Sequence, residues 1–531
     1  MNEYRTNSVS LAIALLAANT TVLAQADDRA RYGRAEMNIS CATDARTAFD
    51  RGLLQLHSFA WQLSRESFAQ AVAQEPDCAM AHWGIAMSYY DGLHEHPSAD
   101  EVDAAAEALA VARRAAKKTP RETAYIDAAT ELFRGYPAVA RVARDRHYSE
   151  ALAKIVDDYP DDDEAKIFYA LSLLSLTRRG DDSRLTQASE ILEPLFAKLP
   201  EHPGVAHYLI HVYDDAGNRE PGVAAARRYA GIAPLMTHAQ HMPSHIFAGL
   251  GMWNDSNASN EGALEADPRY YHALMYLVYG HLQLGQWSYA KRLVDELREF
   301  SISPQGGTRE QRGLHSVNTW LLLETRDWTA AADVPVYYEA PLEVAETLYI
   351  RGLGAAHTGR LIDAREALRE LKEMLSRLDQ VNDSGIASRT QLVHIQALQV
   401  EASIAFAEEK HAEAVAMMRE ATGIEDGPGV QRAPPDSGTG LPAHEVLGDM
   451  LLELQRYAEA REHFELALER TPRRLHSMLG LARSAAGSGD IARAAKMYGE
   501  LLALLADADA GMQVLAEAQD YLDAWRDQRA D

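Results

Sequence analysis

The stretch LPAHEVLGDMLLELQRYAEAREHFELALERTPRR, residues 441–474, decides the fold. Its pattern is helical, as it is in nearly all of the chain. Three small residues allow two antiparallel helices to approach closely: Gly448, Ala460 and Ala467. Phe464 fills the gap between these helices, and Pro472 ends the second one. The stretch therefore predicts a helical hairpin.

A fixed period of 34 residues runs through the middle of the chain. Prolines and glycines mark it at equal intervals: Pro200, Pro234 and Pro268, and Gly217, Gly251 and Gly285. Such a period predicts stacked helix-turn-helix units. The three central units are residues 203–236, 237–270 and 271–304.

Residues 441–474 resemble the tetratricopeptide repeat (TPR) family, whose repeats keep small residues, an aromatic and a proline at fixed places. Two further stretches keep that register: residues 45–78 and the unit from Leu475 onward. The segments CAMAHWGIAMSYY (residues 78–90) and HMPSHIF (residues 241–247) are also similar to long, poorly characterised exported bacterial TPR proteins. The resemblance implies an all-α, right-handed superhelical solenoid of antiparallel helix pairs, with a concave groove that binds ligands.

The composition divides the chain into four parts. Residues 1–26 are predicted to be a signal peptide, and residues 27–422 the main TPR-like solenoid. Residues 423–442, GIEDGPGVQRAPPDSGTGLP, are rich in glycine and proline and predict a connecting loop. Residues 443–531 are then a C-terminal repeat pair with a final capping helix, whose polar outer face closes the stack.

The first residues have the pattern of a secretory signal. A short apolar run from Val9 to Ala18 precedes Ala24-Gln25-Ala26, which is a small-x-small cleavage site. We therefore expect an exported protein, periplasmic or secreted. In such a compartment two cysteines suit one disulfide, so we predict that Cys41 and Cys78 are bonded to each other; the alternative is two free thiols in a reducing compartment.

The charge and the missing motifs exclude several classes of function. The net charge is −26, and such a surface repels nucleic acid and anionic membranes. No run of 18 or more apolar residues predicts a transmembrane helix, so we expect no membrane insertion. The sequence has no nucleotide-binding glycine loop, no haem-attachment motif and no hydrolase nucleophile elbow.

Histidines recur at matching positions of the three central repeats. Positions 2, 5 and 9 of their first helices offer nine slots, and six of these are histidine: His207, His211, His238, His241, His245 and His272. Met275 and Tyr279 fill the other two slots of the third repeat. Spacings of three and four residues place such side chains on one helical stripe. The pattern predicts a histidine-lined surface in the groove.

Histidines in this arrangement suit a metal ion. Two histidines four residues apart can share one ion, and neighbouring helices lie about 8–10 Å apart. We therefore predict that His207, His211, His241 and His245 supply four nitrogens to one metal. Imidazole ligands suit zinc, copper or iron, and a nearby thioether would favour copper.

Other side chains near this stripe are candidates for binding and for proton transfer. We expect the ligand-binding residues to be His238, His272, Met275 and Asp215. Asp214 and Tyr279 are the candidate catalytic groups, because a carboxylate or a phenol can move a proton. Asp214 is also a candidate to orient a ligating histidine.

Several functions stay open at this point. The first is an exported TPR scaffold whose groove binds a transition-metal ion, or a peptide, protein or small-molecule partner. The second is a metal-dependent enzyme that uses copper, iron or zinc in the same groove. A metal-free histidine groove would instead bind an anion or a carboxylate-ended peptide. The ordinary alternative is that the helix histidines only pack or face solvent.

Overall fold

The computed structural model describes residues 28–93, 97–177, 182–215, 218–380, 384–427, 435 and 440–530. In these ranges the regular secondary structure is α-helix with one 3-10 turn, Glu220–Gly222, and no strand. Successive helices pack as antiparallel pairs, so the predicted all-α, TPR-like solenoid class is confirmed. The predicted signal peptide, residues 1–26, lies outside the described residues.

Two helices in the first half of the chain begin at clear sequence signals. Ser98 and Thr119 each cap a helix in a reciprocal box with a glutamate three residues later. The helices are α1 (Asp28–Tyr32), α2 (Thr43–His57), α3 (Trp61–Gln74), α4 (Ala79–Met87), α5 (Ala99–Arg114), α6 (Pro120–Phe133), α7 (Arg141–Asp158), α8 (Asp163–Ser175), α9 (Ser183–Lys198), α10 (Pro203–Asp215), α11 (Val223–Ile232), α12 (Thr237–His241) and α13 (Pro243–Gly249).

The second half of the chain continues with longer helices. They are α14 (Trp253–Ala266), α15 (Tyr271–Gln283), α16 (Trp287–Ser301), α17 (Thr308–Thr325), α18 (Trp328–Ala332), α19 (Pro341–His357), α20 (Leu361–Leu378), α21 (Ser384–Ala407), α22 (His411–Glu425), α23 (Ala443–Glu453), α24 (Tyr457–Arg470), α25 (Leu475–Gly487), α26 (Ile491–Leu504) and α27 (Gln513–Ala530). Within the described ranges, no helix has both the length and the apolar character needed to span a lipid bilayer.

The described chain packs as two compact units. The N-terminal unit holds the described residues up to Ile246 together with Gly262–Asp267. The C-terminal unit holds Phe247–Glu261 and the chain from Pro268 onward. This boundary differs from the one that composition suggested at residues 423–442.

The predicted loop at residues 423–442 does not separate two hydrophobic cores. One core of the C-terminal unit includes Ile395 before the loop and Val446 after it. Helix α22 also runs to Glu425, so the first three residues of the predicted loop are helical. Residues 428–434 and 436–439 of this loop lie outside the described part of the chain.

Small residues and one phenylalanine hold two of the helix pairs together. Phe464 is fully buried, and a Cβ atom added to Gly448 would lie 2.9 Å from its ring. Phe68 has the same relation to Gly52, where an added Cβ would lie 2.8 Å away. The absence of side chains at these glycines therefore lets the two helices approach to the distance that the ring fills. This is the packing that the sequence of residues 441–474 predicts.

The two helices of a pair are joined by the same tight turn. The second residue beyond the helix takes the left-handed conformation, with φ 67° at Gly251 and 69° at Gly285. The next amide then donates back to a carbonyl five residues earlier, as Met252 does to Phe247 at 2.8 Å. Glycine adopts this conformation without a steric cost, which explains its 34-residue period.

The predicted disulfide is present. Cys41 and Cys78 are bonded, with their Cα atoms 5.2 Å apart. The bond joins the segment before α2 to the start of α4, across 37 residues of sequence. In the chain-entropy model a loop of this size stabilises the folded state by roughly 3–4 kcal/mol.

Candidate metal centre

Helix α10 carries His207 and His211 on one face. The residues are four positions apart, and their Nε2 atoms lie 3.1 Å from each other. His207 is fully buried and its ring stacks on that of Tyr229, with ring centres 5.1 Å apart. His211 is half-buried. The ring of His207 is therefore held inside the N-terminal unit, whereas the ring of His211 is partly exposed.

His238 completes a cluster of three rings. It lies in the short helix α12, and its Nε2 atom is 3.0 Å from Nε2 of His207. The three ligand atoms of His207, His211 and His238 all lie within 4.8 Å of one another. We call these three residues the histidine triad.

A backbone carbonyl fixes the tautomer of His207. Its Nδ1 atom lies 2.7 Å from the carbonyl oxygen of His57, the last residue of α2. A carbonyl oxygen only accepts hydrogen bonds, so Nδ1 of His207 carries the proton. In the neutral ring Nε2 then has a bare lone pair, which is the form that binds metals.

Hydrogen bonds between the three rings do not fully account for the short distances between their Nε2 atoms. An imidazole nitrogen has one lone pair, yet two other Nε2 atoms lie at 3.0 and 3.1 Å from Nε2 of His207. Both neighbours would have to donate to that single lone pair. A cation between the three nitrogens would accept all three lone pairs, and metal–nitrogen bonds of about 2.0–2.1 Å are compatible with nitrogens this close.

Phe59 covers the triad. Its ring centre lies 4.4 Å from that of His207, 5.6 Å from that of His238 and 5.9 Å from that of His211. The ring of Phe59 also stacks on that of Trp61, with ring centres 4.7 Å apart. Phe59 therefore gives the triad an apolar wall that limits the access of water.

The backbone of Phe59 is left-handed, with φ 55°. It holds the same place after α2 as Gly251 holds after α13, and the amide of Ala60 donates back to Gln55 at 2.9 Å. A bulky residue in this conformation costs about 1–2 kcal/mol compared with glycine. The chain thus carries a strained phenylalanine where the ring can contact the triad.

A buried acidic network lies behind His57. Nε2 of His57 is 3.0 Å from Glu164, Nε2 of His202 is 2.9 Å from the other oxygen of that carboxyl, and Nδ1 of His57 is 2.9 Å from the hydroxyl of Tyr208. His57, Glu164 and His202 are each at most 3% exposed. These hydrogen bonds fix the end of α2, and with it the carbonyl that orients His207.

Glu164 is negatively charged in this network. Burial alone would raise its pKa, but the facing rings of His202 and His57 outweigh burial and hold the pKa well below its usual range. Burial lowers the pKa of His57, which keeps that ring neutral near pH 7. A buried carboxylate therefore contacts the side chain of His57, the residue whose carbonyl accepts a hydrogen bond from His207.

A second group of histidines follows along the chain. His241 and His245 have their Nε2 atoms 3.0 Å apart, and Nδ1 of His245 is 3.1 Å from the carboxylate of Asp214. We call His241 and His245 the histidine pair. Arg219 holds the other oxygen of Asp214 at 3.2 Å. Asp214 thus joins the ring of His245 to the guanidinium of Arg219 through its two carboxylate oxygens.

The grouping differs from the sequence-based expectation. The sequence predicted one centre of His207, His211, His241 and His245, with His238 elsewhere. The structure brings His238 to His207 and His211, and brings His241 to His245. The 34-residue period fixes where each histidine lies on its own helix, but it does not fix which rings of neighbouring helices meet; His238 and His241 both lie on the short helix α12 and contact different partners.

The other predicted residues lie in varied surroundings. His272 and Met275 are half-buried in α15 of the C-terminal unit, where the ring of His272 contacts Tyr270 and Tyr276. The side chain of Asp215 lies outside the described residues.

Tyr279 is a core residue of the C-terminal unit. It is fully buried between Trp253 and Trp320, and its hydroxyl accepts a hydrogen bond from Arg474 at 2.6 Å. Burial raises its pKa far above the ordinary value. These surroundings suit a structural tyrosine, although the sequence suggested it as a proton-transfer group.

Sequence reasoning missed Phe59 and the network of His57, Glu164 and His202. Phe59 had a readable signal, because it is residue 15 of the repeat 45–78, the place that Gly251 and Gly285 hold in their own repeats. The network had no such signal. Its members are separated by 107 and 38 residues, and only the folded chain brings them together.

Comparison with known proteins gives no family. No protein-family model and no curated protein matches the chain. Among solved structures, the chain is similar to yeast Tom70 (12% identity, 92% of this chain and 89% of that chain, TM-score 0.29). It is also similar to the Cut9–Hcn1 hetero-tetramer of APC/C (12%, 91% and 90%, 0.31) and to an IFIT1 monomeric mutant with Gppp-AAAA (12%, 88% and 92%, 0.36). TM-scores this low carry no information about function or partners.

Proposed function

We propose that this chain is an exported TPR-type scaffold that binds one transition-metal ion at the histidine triad. The observation that carries the proposal is the close approach of Nε2 of His211 and of His238 to Nε2 of His207, at 3.1 and 3.0 Å, with the tautomer of His207 fixed by the carbonyl of His57. Rings that only pack against each other would not be expected to place two further Nε2 atoms against the lone pair of His207.

The donor set favours borderline transition metals. Three neutral imidazoles suit zinc or copper, with iron less favoured, whereas calcium and magnesium prefer oxygen ligands. The buried charge of Glu164 and the apolar wall of Phe59 both support a cation that is held away from bulk water.

Export is part of the proposal. It rests on the signal-like pattern of residues 1–26 and on the bond between Cys41 and Cys78, because such bonds persist in oxidising compartments. Fractionation of cells that express the full chain tests it. We expect a mature protein in the periplasm or medium whose first residue is Asp27, and an unprocessed protein in the cytoplasm would contradict export.

A metal-dependent enzyme is the second candidate. Three protein nitrogens leave at least one coordination position open, which is the arrangement of catalytic rather than structural zinc sites. His211 and His238 are half-buried, so a peptide, a protein side chain or a small molecule could approach that position. Zinc there would supply a hydroxide near neutral pH, and copper or iron would supply redox chemistry.

Zinc binding to single variants tests the metal proposal. Untagged protein is stripped with a chelator, titrated with Zn²⁺ against a competing dye, and compared with the His211→Ala variant. We expect His211→Ala to lose tight binding of one ion per chain and to keep its helical circular dichroism. His147→Ala is the matched control, because the side chain of His147 is 53% exposed on α7. Equal zinc binding by wild type and His211→Ala would refute the triad site.

Turnover separates the scaffold from the enzyme. An enzyme needs the metal for activity, so the zinc or copper form should hydrolyse or oxidise a test substrate and the stripped form should not. A scaffold binds metal without turnover and instead binds a partner more tightly when loaded. Activity that persists in His211→Ala would contradict a catalytic metal at the triad.

A further inference from the structure

The histidine pair lies apart from the triad and has its own supporting side chains. His241 ends α12 and is fully buried, whereas His245 lies in α13 and is half-buried. Their spacing of four residues continues across the break between these helices, because Met242 keeps helical backbone angles and its amide donates to His238 at 2.9 Å. The two Nε2 atoms therefore face each other at 3.0 Å.

Asp214 fixes the tautomer of His245. Its carboxylate accepts from Nδ1 of His245 at 3.1 Å, and Arg219 holds the carboxylate from the other side at 3.2 Å. Because the carboxylate is an acceptor, Nδ1 of His245 carries the proton and Nε2 presents its lone pair to His241. A carboxylate behind a histidine in this way is the usual support of a metal-binding ring.

We infer that His241 and His245 bind a second transition-metal ion, with Asp214 as the residue that orients His245. The ion would take Nε2 of both rings and complete its coordination with water or a ligand atom. Imidazole pairs of this kind select zinc, copper or nickel over calcium and magnesium. Two protein nitrogens bind more weakly than three, so this site fills after the triad.

The second site does not depend on the first. It uses neither His207 nor His211, and its orienting group is Asp214 where the triad uses the carbonyl of His57. The competing explanation is a hydrogen bond, in which His241 keeps a proton on Nε2 and donates it to His245. The hydroxyl of Ser244 lies 3.4 Å from Nδ1 of His241, and it can donate or accept a hydrogen bond and so permits both states.

The number of zinc ions bound per chain by the wild type and three variants distinguishes a metal site from a hydrogen bond. The full chain, stripped of metal, is titrated with Zn²⁺ by calorimetry as wild type, His211→Ala, His245→Ala and Asp214→Asn. We expect two ions for wild type. His211→Ala should keep the weaker ion alone, and His245→Ala should keep the tighter ion alone. Asp214→Asn should keep both, with the weaker dissociation constant raised roughly 10- to 100-fold.

Controls keep the test independent of folding and of net charge. Asp158→Asn removes a carboxylate that is 51% exposed on α7, and it should leave both dissociation constants unchanged. Helical circular dichroism confirms that each variant is folded, and His245→Asn replaces His245→Ala where that variant does not fold. A wild type that binds one ion, or a His245 variant that still binds two, would overturn the second site. Loss of both ions in His211→Ala would overturn its independence.

Discussion

Two substitutions of Phe59 distinguish the effect of its strained backbone from the effect of its ring on the triad. Phe59→Gly removes the ring and also relieves the left-handed backbone, whereas Phe59→Ala removes the ring and keeps most of the strain. Both variants expose the same three histidine rings, which lie 4.4–5.9 Å from the ring of Phe59. Both substitutions therefore remove the ring from the triad, but only Phe59→Gly relieves the backbone strain.

The expected free energies follow from the structure. Phe59 is half-buried, so loss of its ring costs on the order of 1 kcal/mol. Relief of the left-handed conformation returns about 1–2 kcal/mol, and the greater freedom of glycine in the unfolded chain costs about 0.5–1 kcal/mol. We expect Phe59→Gly to lie within about 1 kcal/mol of wild type, and to be more stable than Phe59→Ala by on the order of 1 kcal/mol.

Zinc affinity should behave differently from stability. Both variants open the triad to water and free its rings to move, so both should weaken zinc binding to a similar extent, roughly 10-fold or more. Apparent melting temperature of the metal-free protein and competitive zinc titration measure the two effects. Gln455→Gly is the control, because Gln455 has φ 59° at the same turn position but is exposed. It should not weaken zinc binding at all.

Two results would refute this reasoning. If Phe59→Gly lowers the melting temperature as far as Phe59→Ala, the left-handed backbone stores no strain. If both variants bind zinc as tightly as wild type, the ring does not cover a metal site and its contacts with the histidines are packing alone.

Three further predictions concern the rest of the chain. Replacing Cys41 and Cys78 by alanine should lower stability by roughly 3–4 kcal/mol, and thiol titration of the unfolded, unreduced wild type should find no free sulfhydryl. Burial lowers the pKa of His281 and of His476 to about 4, so between pH 6.5 and 4 these two rings take up protons only in the unfolded chain. The free energy of unfolding of the C-terminal unit should therefore fall by on the order of 3 kcal/mol per ring across this range. A denaturation midpoint that stays constant from pH 6.5 to 4 would contradict the prediction. Arg474→Ala leaves the buried carboxylate of Glu445 without its cation and should lower the free energy of unfolding, measured by chemical denaturation, by about 3–5 kcal/mol. A decrease below about 1 kcal/mol would show that the Arg474–Glu445 ion pair is not buried in solution.

The repeat architecture could be predicted because it is local. Small residues, one aromatic and a proline recur at fixed distances, and each distance corresponds to one contact inside a hairpin, such as that between Gly448 and Phe464. The disulfide was also within reach, since two cysteines permit only one pairing. These features need no knowledge of how distant repeats meet.

The grouping of the histidines could not be predicted in the same way. The 34-residue period places the histidines at matching positions of their helices, but it does not state which rings of neighbouring repeats meet. In the structure His238 contacts His207, whereas His241 contacts His245. These contacts depend on how neighbouring helices pack, and the period does not contain that geometry.

The supporting groups depended on contacts between distant segments. The carbonyl of His57 meets His207 across 150 residues, and Glu164 meets His57 across 107. A buried histidine at the end of a helix has an ordinary explanation in sequence terms, as a partner for the negative end of that helix. Only the folded chain shows that its backbone orients a ring of the triad.

The most direct test of the metal centre is an anomalous-scattering map at the zinc absorption edge, from crystals of the full chain loaded with one equivalent of Zn²⁺. We predict a peak bonded to Nε2 of His207, His211 and His238 at about 2.0–2.1 Å. A map without a peak among these three rings, or with the zinc bound elsewhere on the chain, would contradict the proposed function.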